Sequence, residues 1–435
     1  MDTQTRSEAL ARRYRAIRGI SARLCQTLSA EDCAAQSMPD ASPAKWHLAH
    51  TSWFFETFIA RAASPEYTVF HPRFEYLFNS YYNSVGAQFS RPDRGLLTRP
   101  SLEEVGDYRA YVDTHLTSLL EDPGRLSEDV LDIVELGLNH EQQHQELLLT
   151  DIKHLLAQNP LAPVFARAKE PESVPIQSLT WQAFPGGVVE IGRDAWGPDA
   201  SAAVDGPKSF CFDNESPRHR VFLEPYELAS RPIRNAEYLV FMEDGGYARP
   251  ELWMAEGWAK VQEEGRRAPL YWSRQEDRWW NFTLSGLRPV RMDEPVCHIG
   301  FFEADAFARW AGCRLPTEAE WEQAALDVPV EGNFLEGGRF HPHALPALPN
   351  GDGPLQLFGD VWEWTSSAYG PYPGFRAAEG ALGEYNGKFM SSQVVLRGGS
   401  CVSPRSHLRA SYRNFFYPDA RWQFSGVRLA RDAAS

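Results

Sequence analysis

Two histidines, four residues apart in an apolar-periodic segment, place the strongest constraint on how this chain folds. His140 and His144 lie within residues 138–147, where apolar residues recur at helical spacing. On an α-helix, residues i and i+4 lie on one face, so both imidazoles can reach one metal ion. Gln143 shares that face. The segment therefore predicts a long helix that carries part of a metal site.

The same residues spell H-E-x-x-H, a pattern typical of zinc metalloproteases. The metzincin extension requires a glycine and then a histidine shortly after the second histidine of the pattern. Leu147 and Thr150 occupy those two places here, and His154 is present at the wrong spacing. A zinc metallohydrolase is thus an alternative hypothesis that the missing downstream ligand disfavours.

A second histidine pair lies on another predicted helix, which begins after Pro43. His47 and His50 are three residues apart, so they point roughly the same way. A third imidazole for the first pair could come from this helix. Three imidazoles with open positions beside them suit a catalytic zinc or a non-haem Fe(II) that binds O₂ and substrate. Spacing alone does not choose between these metals.

Composition excludes several classes of protein. A chain of 435 residues is long enough for two or three domains, and its 43% hydrophobic content is typical of a folded protein. The net charge of −15 argues against binding nucleic acid or anionic membranes. No apolar run approaches the ~20 residues that span a bilayer. The N-terminus lacks the pattern of a secretory signal, and the six cysteines are scattered, so we expect a cytoplasmic protein.

The chain changes character near its middle. Residues 1–158 predict a bundle of four or five helices, with capping boxes that begin at Ser29 and Ser101. Residues 159–178 contain several prolines with mixed charge and predict a linker. From 179 to 435, glycine, proline and tryptophan become common and short strand-like runs appear. This half predicts an α+β domain with much irregular structure.

Three helices are predicted in the second half. Asn235 is expected to cap the first, which ends at Gly245. The second is expected over residues 303–311. Thr317 and Glu320 predict a capping box for the third.

An aromatic, loop-like run between the histidine-bearing helices contains further candidates. Tyr81 and Tyr82 are either core residues or, near a metal, groups that donate a proton or an electron or bind a substrate. Arg91 and Arg94 are either solvated charges or a clamp for a carboxylate. Near the C-terminus, residues 414–417 form an aromatic cluster that is either core or a cage for a quaternary ammonium group.

Two sets of motifs together resemble known families. The run from His47 through Phe58, with H-E-Q-Q-H-Q-E after it, resembles the DinB-like helical domain. Four later segments resemble the formylglycine-generating-enzyme (sulfatase-modifying factor) fold, which is C-type-lectin-like: residues 314–321, 359–365, 396–400 and 424–429. The fusion in this order resembles the ergothioneine-biosynthetic sulfoxide synthases. The cysteines of the formylglycine-generating enzymes are not recognisable, since Cys401 has no partner at a telling spacing.

The resemblance implies a reaction and a metal. Such enzymes hold non-haem Fe(II) with three histidines, which here would be His50, His140 and His144, leaving His47 as a supporting or structural residue. They use O₂ to join hercynine (trimethylhistidine), at imidazole C2, to the sulfur of cysteine or γ-glutamylcysteine, and they leave a sulfoxide. A selenoneine synthase or an ovothiol-type relative stays open, because these relatives share the motifs.

The resemblance also implies substrate contacts. Gln143 matches a position that binds the hercynine imidazole, and Asn414, Phe415 and Phe416 match the region that holds its trimethylammonium group. Arg91 and Arg94 match a pair that binds the carboxylate of the thiol substrate. Tyr81 and Tyr82 resemble the tyrosine pair of one subtype, in which a tyrosine assists O₂ chemistry. In the other subtype that tyrosine comes from the C-terminal domain.

Overall fold

The computed structural model describes residues 3–122, 124–168, 178–194, 210–344 and 354–433. The chain divides into two compact units. The first contains Met1–Pro160, Asp194–Asp213 and Arg376–Lys388, and the second contains Leu161–Arg193, Asn214–Phe375 and Phe389–Ser435. Residues 169–177 of the predicted linker lie outside the described residues.

The first unit is helical. Its helices are α1 Thr3–Leu24, α2 Ala30–Ala34, α3 Ala44–Phe55, α4 Arg61–Ala63, α5 Phe74–Phe78, α6 Leu102–Glu121 and α7 Glu128–Ala157. A π-helical turn, Glu56–Ala60, joins α3 to α4. The predicted capping boxes at Ser29 and Ser101 are confirmed, since each hydroxyl accepts a hydrogen bond from a backbone N–H three residues later at 3.1 Å. In the aromatic run, residues 79–90 are irregular as predicted, whereas α5 and a 3₁₀ turn at Arg91–Leu96 were not expected.

The two histidine-bearing helices, α3 and α7, approach each other closely. A Cβ atom on Gly137 would lie 2.7 Å from a ring carbon of Phe55 and 2.9 Å from one of Phe54. Only glycine fits between these rings without displacing them. Gly137 lies three residues before His140, so this contact sets the separation of the helices close to the predicted metal site.

The second unit is an α+β structure, which confirms the predicted fold class. Its helices are α8 Asn235–Glu243, α9 Ala255–Glu264, α10 Phe301–Trp310 and α11 Glu318–Ala325. Its strands are β1 Trp181–Phe184, β2 Gly187–Ile191, β3 His219–Leu223, β4 Tyr226–Ala229, β5 Trp272–Gln275, β6 Arg278–Thr283, β7 Gly286–Pro289, β8 Trp362–Ala368, β9 Val394–Arg397, β10 Asn414–Phe416, β11 Ser425–Gly426 and β12 Ala430–Asp432. They form sheets in the orders β1-β4-β12, β2-β3, β5-β6-β7 and β10-β9-β8-β11.

The sheet β10-β9-β8-β11 carries the buried centre of this unit. Glu363 on β8 is fully buried, and its carboxylate accepts hydrogen bonds from the Arg428 guanidinium at 2.7 Å and from the Trp321 indole at 2.6 Å. Removing one partner of such a pair would leave an uncompensated buried charge. These residues belong to the motifs on which the resemblance was based, so those motifs maintain the fold of this unit.

Two of the three helix predictions in this unit need comment, and a further helix was not predicted. The capping box of Thr317 with Glu320 is confirmed. The prediction that Asn235 caps α8 is wrong, because Arg234 precedes the helix and Asn235 is its first residue. Helix α9 was missed, although Gly265, with φ +61°, ends it in the left-handed conformation that glycine favours. In the described part of the chain, no helix is long and apolar enough to cross a membrane.

Candidate metal and substrate site

Helices α3 and α7 bring together three of the four histidines that the sequence predicted as candidates. One ring nitrogen from each of His50, His140 and His144 lies within 4.8 Å of the others. The Nε2 atoms of His50 and His140 are 3.2 Å apart, and the His140 and His144 ring centroids are 4.6 Å apart. Among the described residues, this is the only group of histidine, cysteine or carboxylate ligands close enough to hold a metal ion.

Neighbouring groups decide which nitrogen His50 presents to the site. Its Nδ1 lies 2.5 Å from the backbone carbonyl oxygen of Phe78, which only accepts hydrogen bonds. Nδ1 therefore carries the proton and donates it, and Nε2 keeps its lone pair. The Nδ1 atom of His140 is buried without a hydrogen-bond partner among the described residues.

All three imidazoles are held neutral. Burial lowers the pKa of His140 to about 3, and burial with the neighbouring histidines lowers the pKa of His50 and His144 well below the usual value. A neutral imidazole has a lone pair to give to a metal ion, whereas an imidazolium has none. The donor set and its buried nitrogens therefore fit a divalent transition metal.

His47 does not belong to this ligand group. Its Nδ1 is 2.8 Å from Nδ1 of His144, and its Nε2 is 3.0 Å from the Asp151 carboxylate. His47 and Asp151 are both buried, with 3% and 6% of their surface exposed. The side chain of His47 thus lies behind the predicted ligand His144.

Glu141, the glutamate of the H-E-x-x-H pattern, faces away from the histidines. It is fully buried, and its carboxylate accepts hydrogen bonds from Arg18 at 3.0 Å, Arg109 at 2.9 Å and Ser21 at 2.6 Å. Burial alone would raise its pKa, but the two arginines and the hydrogen bonds outweigh burial and lower the pKa to about 2. The pattern requires this glutamate as a general base beside the metal. The zinc metallohydrolase hypothesis therefore has no base here.

The two predicted tyrosines lie in the irregular segment after α5. Tyr82 is fully buried, with its ring 5.5 Å from Trp53 and 5.2 Å from Phe58. Tyr81 stacks on Tyr82 with ring centroids 4.7 Å apart. Burial raises the pKa of both phenols, so both hydroxyls are protonated at neutral pH.

The two predicted arginines differ in their surroundings. Arg94 is 3% exposed, with its guanidinium carbon 3.4 Å from the centroid of the Trp46 ring, and it donates to the hydroxyl of Ser42 at 2.9 Å. No described carboxylate forms an ion pair with Arg94, and its Nε has no hydrogen-bond partner among those residues. Burial lowers the pKa of Arg94 to about 9, which leaves it cationic at pH 7. Arg91, in contrast, is exposed and donates to the backbone carbonyl of Asp40.

A segment from the second half of the sequence, Arg376–Lys388, belongs to the first unit and was missed as part of the site. The hydroxyl of Tyr385 donates to Oε1 of Gln143, and the Tyr385 ring lies 5.6 Å from His140 and 6.2 Å from Tyr81. No periodicity or spacing in the sequence marks this contact, because it joins residues 242 positions apart.

The same segment holds the tyrosine loop. The Glu384 carboxylate accepts hydrogen bonds from the backbone N–H groups of Asn83 at 3.0 Å and Ser84 at 2.8 Å. Lys388 donates to the backbone carbonyl of Tyr81. The position of the loop therefore depends on this segment as well as on the helices.

The predicted ammonium-binding residues lie in the second unit. Asn414, Phe415 and Phe416 form β10, and each is partly exposed. The Phe415 ring stacks on Tyr369 with centroids 4.0 Å apart, and Phe416 meets Trp422 at 6.0 Å. All four of these aromatic residues belong to the second unit.

Comparison with known proteins decides the family. The chain is 34% identical to a hercynine oxygenase of Mycolicibacterium smegmatis, over 91% of this chain and 92% of that protein. It is 32% identical to a hercynine oxygenase of Mycobacterium tuberculosis, over 98% of this chain and 100% of that protein. This chain belongs to the hercynine oxygenase family.

Domain families account for both parts of this hercynine oxygenase family member. Residues 13–148 match the DinB superfamily, and residues 169–347 and 338–433 match the sulfatase-modifying factor enzyme 1-like domain. A formylglycine-generating enzyme of Streptomyces coelicolor is 29% identical over 62% of this chain and 95% of that protein. The predicted fusion of two domain types is confirmed.

Proposed function

We propose that this chain is a sulfoxide synthase of ergothioneine biosynthesis, which joins hercynine at imidazole C2 to the sulfur of cysteine or γ-glutamylcysteine. The observation that carries the proposal is the group of three neutral imidazoles, two of them buried, in a chain that aligns with hercynine oxygenases over nearly its whole length. The balance is simple: the C2–H and S–H bonds break and a C–S bond forms. One atom of O₂ becomes the sulfoxide oxygen, and the other leaves as water with the two hydrogens.

The metal in this proposal is Fe(II), held by His50, His140 and His144. Zinc has no redox chemistry, so it cannot accept the electrons that an O₂-consuming reaction must move. Three imidazoles would leave coordination positions on the ion open for other ligands. When bound, Fe(II) would supply the redox chemistry and a site for O₂, while the protein residues bind and orient the substrates.

Gln143 is proposed to bind the imidazole of hercynine. It lies one residue before His144, on the face of α7 that carries the histidines. Tyr385 donates to its Oε1, and an amide carries its donor and acceptor at opposite ends. Holding Oε1 in this way directs the Nε2–H₂ group elsewhere, as the donor for an imidazole nitrogen of the substrate.

Arg94 is proposed to bind the carboxylate of the thiol substrate. A buried guanidinium without an ion-pair partner is costly, and a substrate carboxylate would offset that cost. Arg91, although part of the predicted pair, lies at the surface and would act on the approach of the anion. Asn414, Phe415 and Phe416 stay proposed as the trimethylammonium site, because aromatic faces attract cations.

Tyr81 and Tyr82 are proposed to assist O₂ chemistry by donating a proton or an electron. Tyr82 is fully buried and Tyr81 is partly buried, and the raised pKa of each keeps the phenol protonated, which is the state that such a donor requires. We expect Tyr81→Phe or Tyr82→Phe to divert turnover from C–S coupling toward oxidation of the thiol alone, measured as the ratio of the two products. Tyr385→Phe is the informative comparison, since it tests the third tyrosine of the cluster. Unchanged product ratios in Tyr81→Phe and Tyr82→Phe would remove the pair from the mechanism.

The substrates are small molecules, and we propose a cytoplasmic location. In the part of the chain that the structure describes, no cysteine forms a disulfide, as expected in a reducing compartment. The acidic net charge of −15 disfavours nucleic acid as a partner.

The decisive experiment is anaerobic reconstitution of the protein with Fe(II), followed by hercynine, O₂ and a panel of donors. The panel contains cysteine, γ-glutamylcysteine and a selenosugar, and mass spectrometry identifies the product. We expect a sulfoxide with one of the two thiols. A product with the selenosugar alone would indicate a selenoneine synthase, and a C–S bond at a different ring carbon would indicate an ovothiol-type enzyme. No product, together with peptidase activity on added zinc, would overturn the proposal.

A further inference from the structure

His144 is the only one of the three proposed ligands whose second ring nitrogen is held by another imidazole. The two Nδ1 atoms of His144 and His47 are 2.8 Å apart, and Nε2 of His47 is 3.0 Å from Oδ2 of Asp151. His144 and Asp151 lie seven residues apart, two turns along the same helix. The three side chains form one continuous hydrogen-bonded chain that begins at a carboxylate.

The carboxylate of Asp151 determines where the protons lie along this series of hydrogen bonds. Oδ2 of Asp151 also accepts the backbone N–H of Ser42 at 2.8 Å, so this oxygen is an acceptor. Nε2 of His47 must then carry a proton and donate it. With the proton of the ring on Nε2, Nδ1 of His47 has the lone pair that accepts a hydrogen bond, so Nδ1 of His144 is the donor. In that tautomer the lone pair of His144 lies on Nε2.

We propose that His47 and Asp151 are positioning residues that hold His144 in the tautomer whose Nε2 can bind a metal. The inference rests on the metal site proposed above and extends it by two residues that contribute no ligand atom. Supporting partners of this kind orient metal-binding histidines and raise their basicity, and their loss typically weakens metal affinity by about 10–100-fold.

Ser42 links the hydrogen-bonded residues His144, His47 and Asp151 to the proposed binding site for the substrate carboxylate. Its N–H donates to Asp151, and its hydroxyl accepts a hydrogen bond from the guanidinium of Arg94 at 2.9 Å. The negative charge of Asp151 therefore lies near the buried guanidinium of Arg94, and it raises the pKa of Arg94 against the larger effect of burial, which lowers it. Arg94 and His144 thus share a network of hydrogen bonds through three intermediate residues.

A purely structural role is the competing explanation, because buried histidine and aspartate side chains are generally hydrogen-bonded. Two pairs of isosteric variants separate the explanations. Asn at position 47 places an acceptor oxygen where Nδ1 of histidine lies, and Leu there has nearly the same shape without an acceptor. Asn at position 151 can still accept from Ser42 and His47, whereas Leu cannot.

The experiment measures metal binding by the apo forms of full-length wild type, His47→Asn, His47→Leu, Asp151→Asn and Asp151→Leu. Co(II) and Zn(II) are the probes, with Co(II) followed by its d–d absorption and Zn(II) by competition with a chromophoric chelator. The melting temperature of each apo protein reports the structural contribution separately. We expect both Leu variants to bind metal about 10–100-fold more weakly, and both Asn variants to stay within a few-fold of wild type.

Equal metal affinity in the folded Leu and Asn variants, even with a lower melting temperature for Leu, would overturn the inference. If a Leu variant fails to fold, the Asn variants decide the question. A 10-fold or greater loss of metal affinity in both Asn variants would contradict the inference. A wild type that binds neither metal would instead overturn the proposed metal site. The two failures are therefore distinguishable.

Discussion

His140 and Glu141 are neighbours on α7, yet they belong to two different kinds of buried polar region. On the side of Glu141, the carboxylate is matched by Arg18, Arg109 and Ser21. On the side of His140, the ring nitrogens of three histidines converge, and Nδ1 of His140 has no hydrogen-bond partner among the described residues. We call the first the Glu141 cluster and the second the histidine site.

The difference separates groups that hold the fold from groups that are available to a ligand. Burying a charge is expensive, and the Glu141 cluster offsets that cost with protein partners alone. In the histidine site the converging ring nitrogens have no protein cation or proton donor to satisfy them, and nearby Arg94 has no ion pair among the described residues. A metal and an anion from outside the chain would satisfy these groups. A zinc-protease pattern read from the sequence does not distinguish the two regions, because adjacent helical residues point about 100° apart.

The largest expected effect is the loss of metal and turnover when a ligand of the histidine site is removed. His140→Ala removes a proposed ligand, and we expect metal content near zero and a loss of turnover well beyond the ~10–100-fold typical of residues that only support a ligand. The unfolding free energy of the apo protein should change little, because His140 forms no ion pair. Elemental analysis and urea unfolding measure the two quantities. Normal metal content in His140→Ala would remove this residue from the site.

The next largest effect is the loss of stability when the carboxylate of the Glu141 cluster is removed. Glu141→Ala leaves Arg18 and Arg109 buried without their shared carboxylate, which we expect to cost about 3–5 kcal/mol of unfolding free energy. Metal affinity of the folded protein should be unchanged. Glu141→Gln, which keeps an acceptor for Ser21 but removes the charge, is the matched control. A stable Glu141→Ala protein without peptidase or oxygenase activity would show that Glu141 is catalytic instead.

A pH titration sharpens the same comparison. The pKa of Glu141 is about 2, below its ordinary value of 4.5, so its ionised form stabilises the folded state at neutral pH. This stabilisation, on the order of 3 kcal/mol at 1.36 kcal/mol per pKa unit, is present above about pH 4.5 and is lost as the pH falls toward 2. We expect the difference in unfolding free energy between wild type and Glu141→Gln to shrink by that amount. A difference independent of pH would show that the charge of Glu141 is not stabilising.

The smallest expected effect compares two buried arginines. Arg94→Gln should raise the KM for the thiol donor by about 10–100-fold, the equivalent of the ~1.5–3 kcal/mol of a hydrogen bond to a charged group. It should cost little stability, since Arg94 has no ion pair in the described structure. Arg109→Gln should show the reverse pattern, with lower stability and an unchanged KM. Equal KM values in both variants would move the carboxylate site away from Arg94.

Local rules predicted the parts of this molecule that depend on neighbours in sequence. The capping boxes at Ser29, Ser101 and Thr317 satisfy backbone donors within four residues, so the sequence was sufficient to place them. The i,i+4 spacing of His140 and His144 likewise requires only a helix. The cap of α8 was misassigned by one residue, a distance within which helix ends are commonly ambiguous.

Contacts between residues that are distant in the sequence could not be predicted from it. The pairing of Glu141 with Arg18 and Arg109 depends on how α1 packs against α7 and how α6 packs against α1 and α3. The His47–Asp151 contact and the Tyr385–Gln143 contact join positions 104 and 242 residues apart. Resemblance supplied roles for several residues that spacing left open, but it did not indicate which group would hold Gln143.

The position of Tyr385 in the sequence has a consequence for synthesis on the ribosome. All three histidines emerge within the first third of the chain, whereas the hydroxyl that holds Gln143 is translated 242 residues later. At about 5–20 residues per second, this interval lasts roughly 10–50 s. A nascent or truncated chain that ends near residue 160 therefore has every proposed metal ligand but lacks the Tyr385 contact to the proposed substrate residue. Such a fragment would also lack the contacts of Glu384 and Lys388 that hold the tyrosine loop.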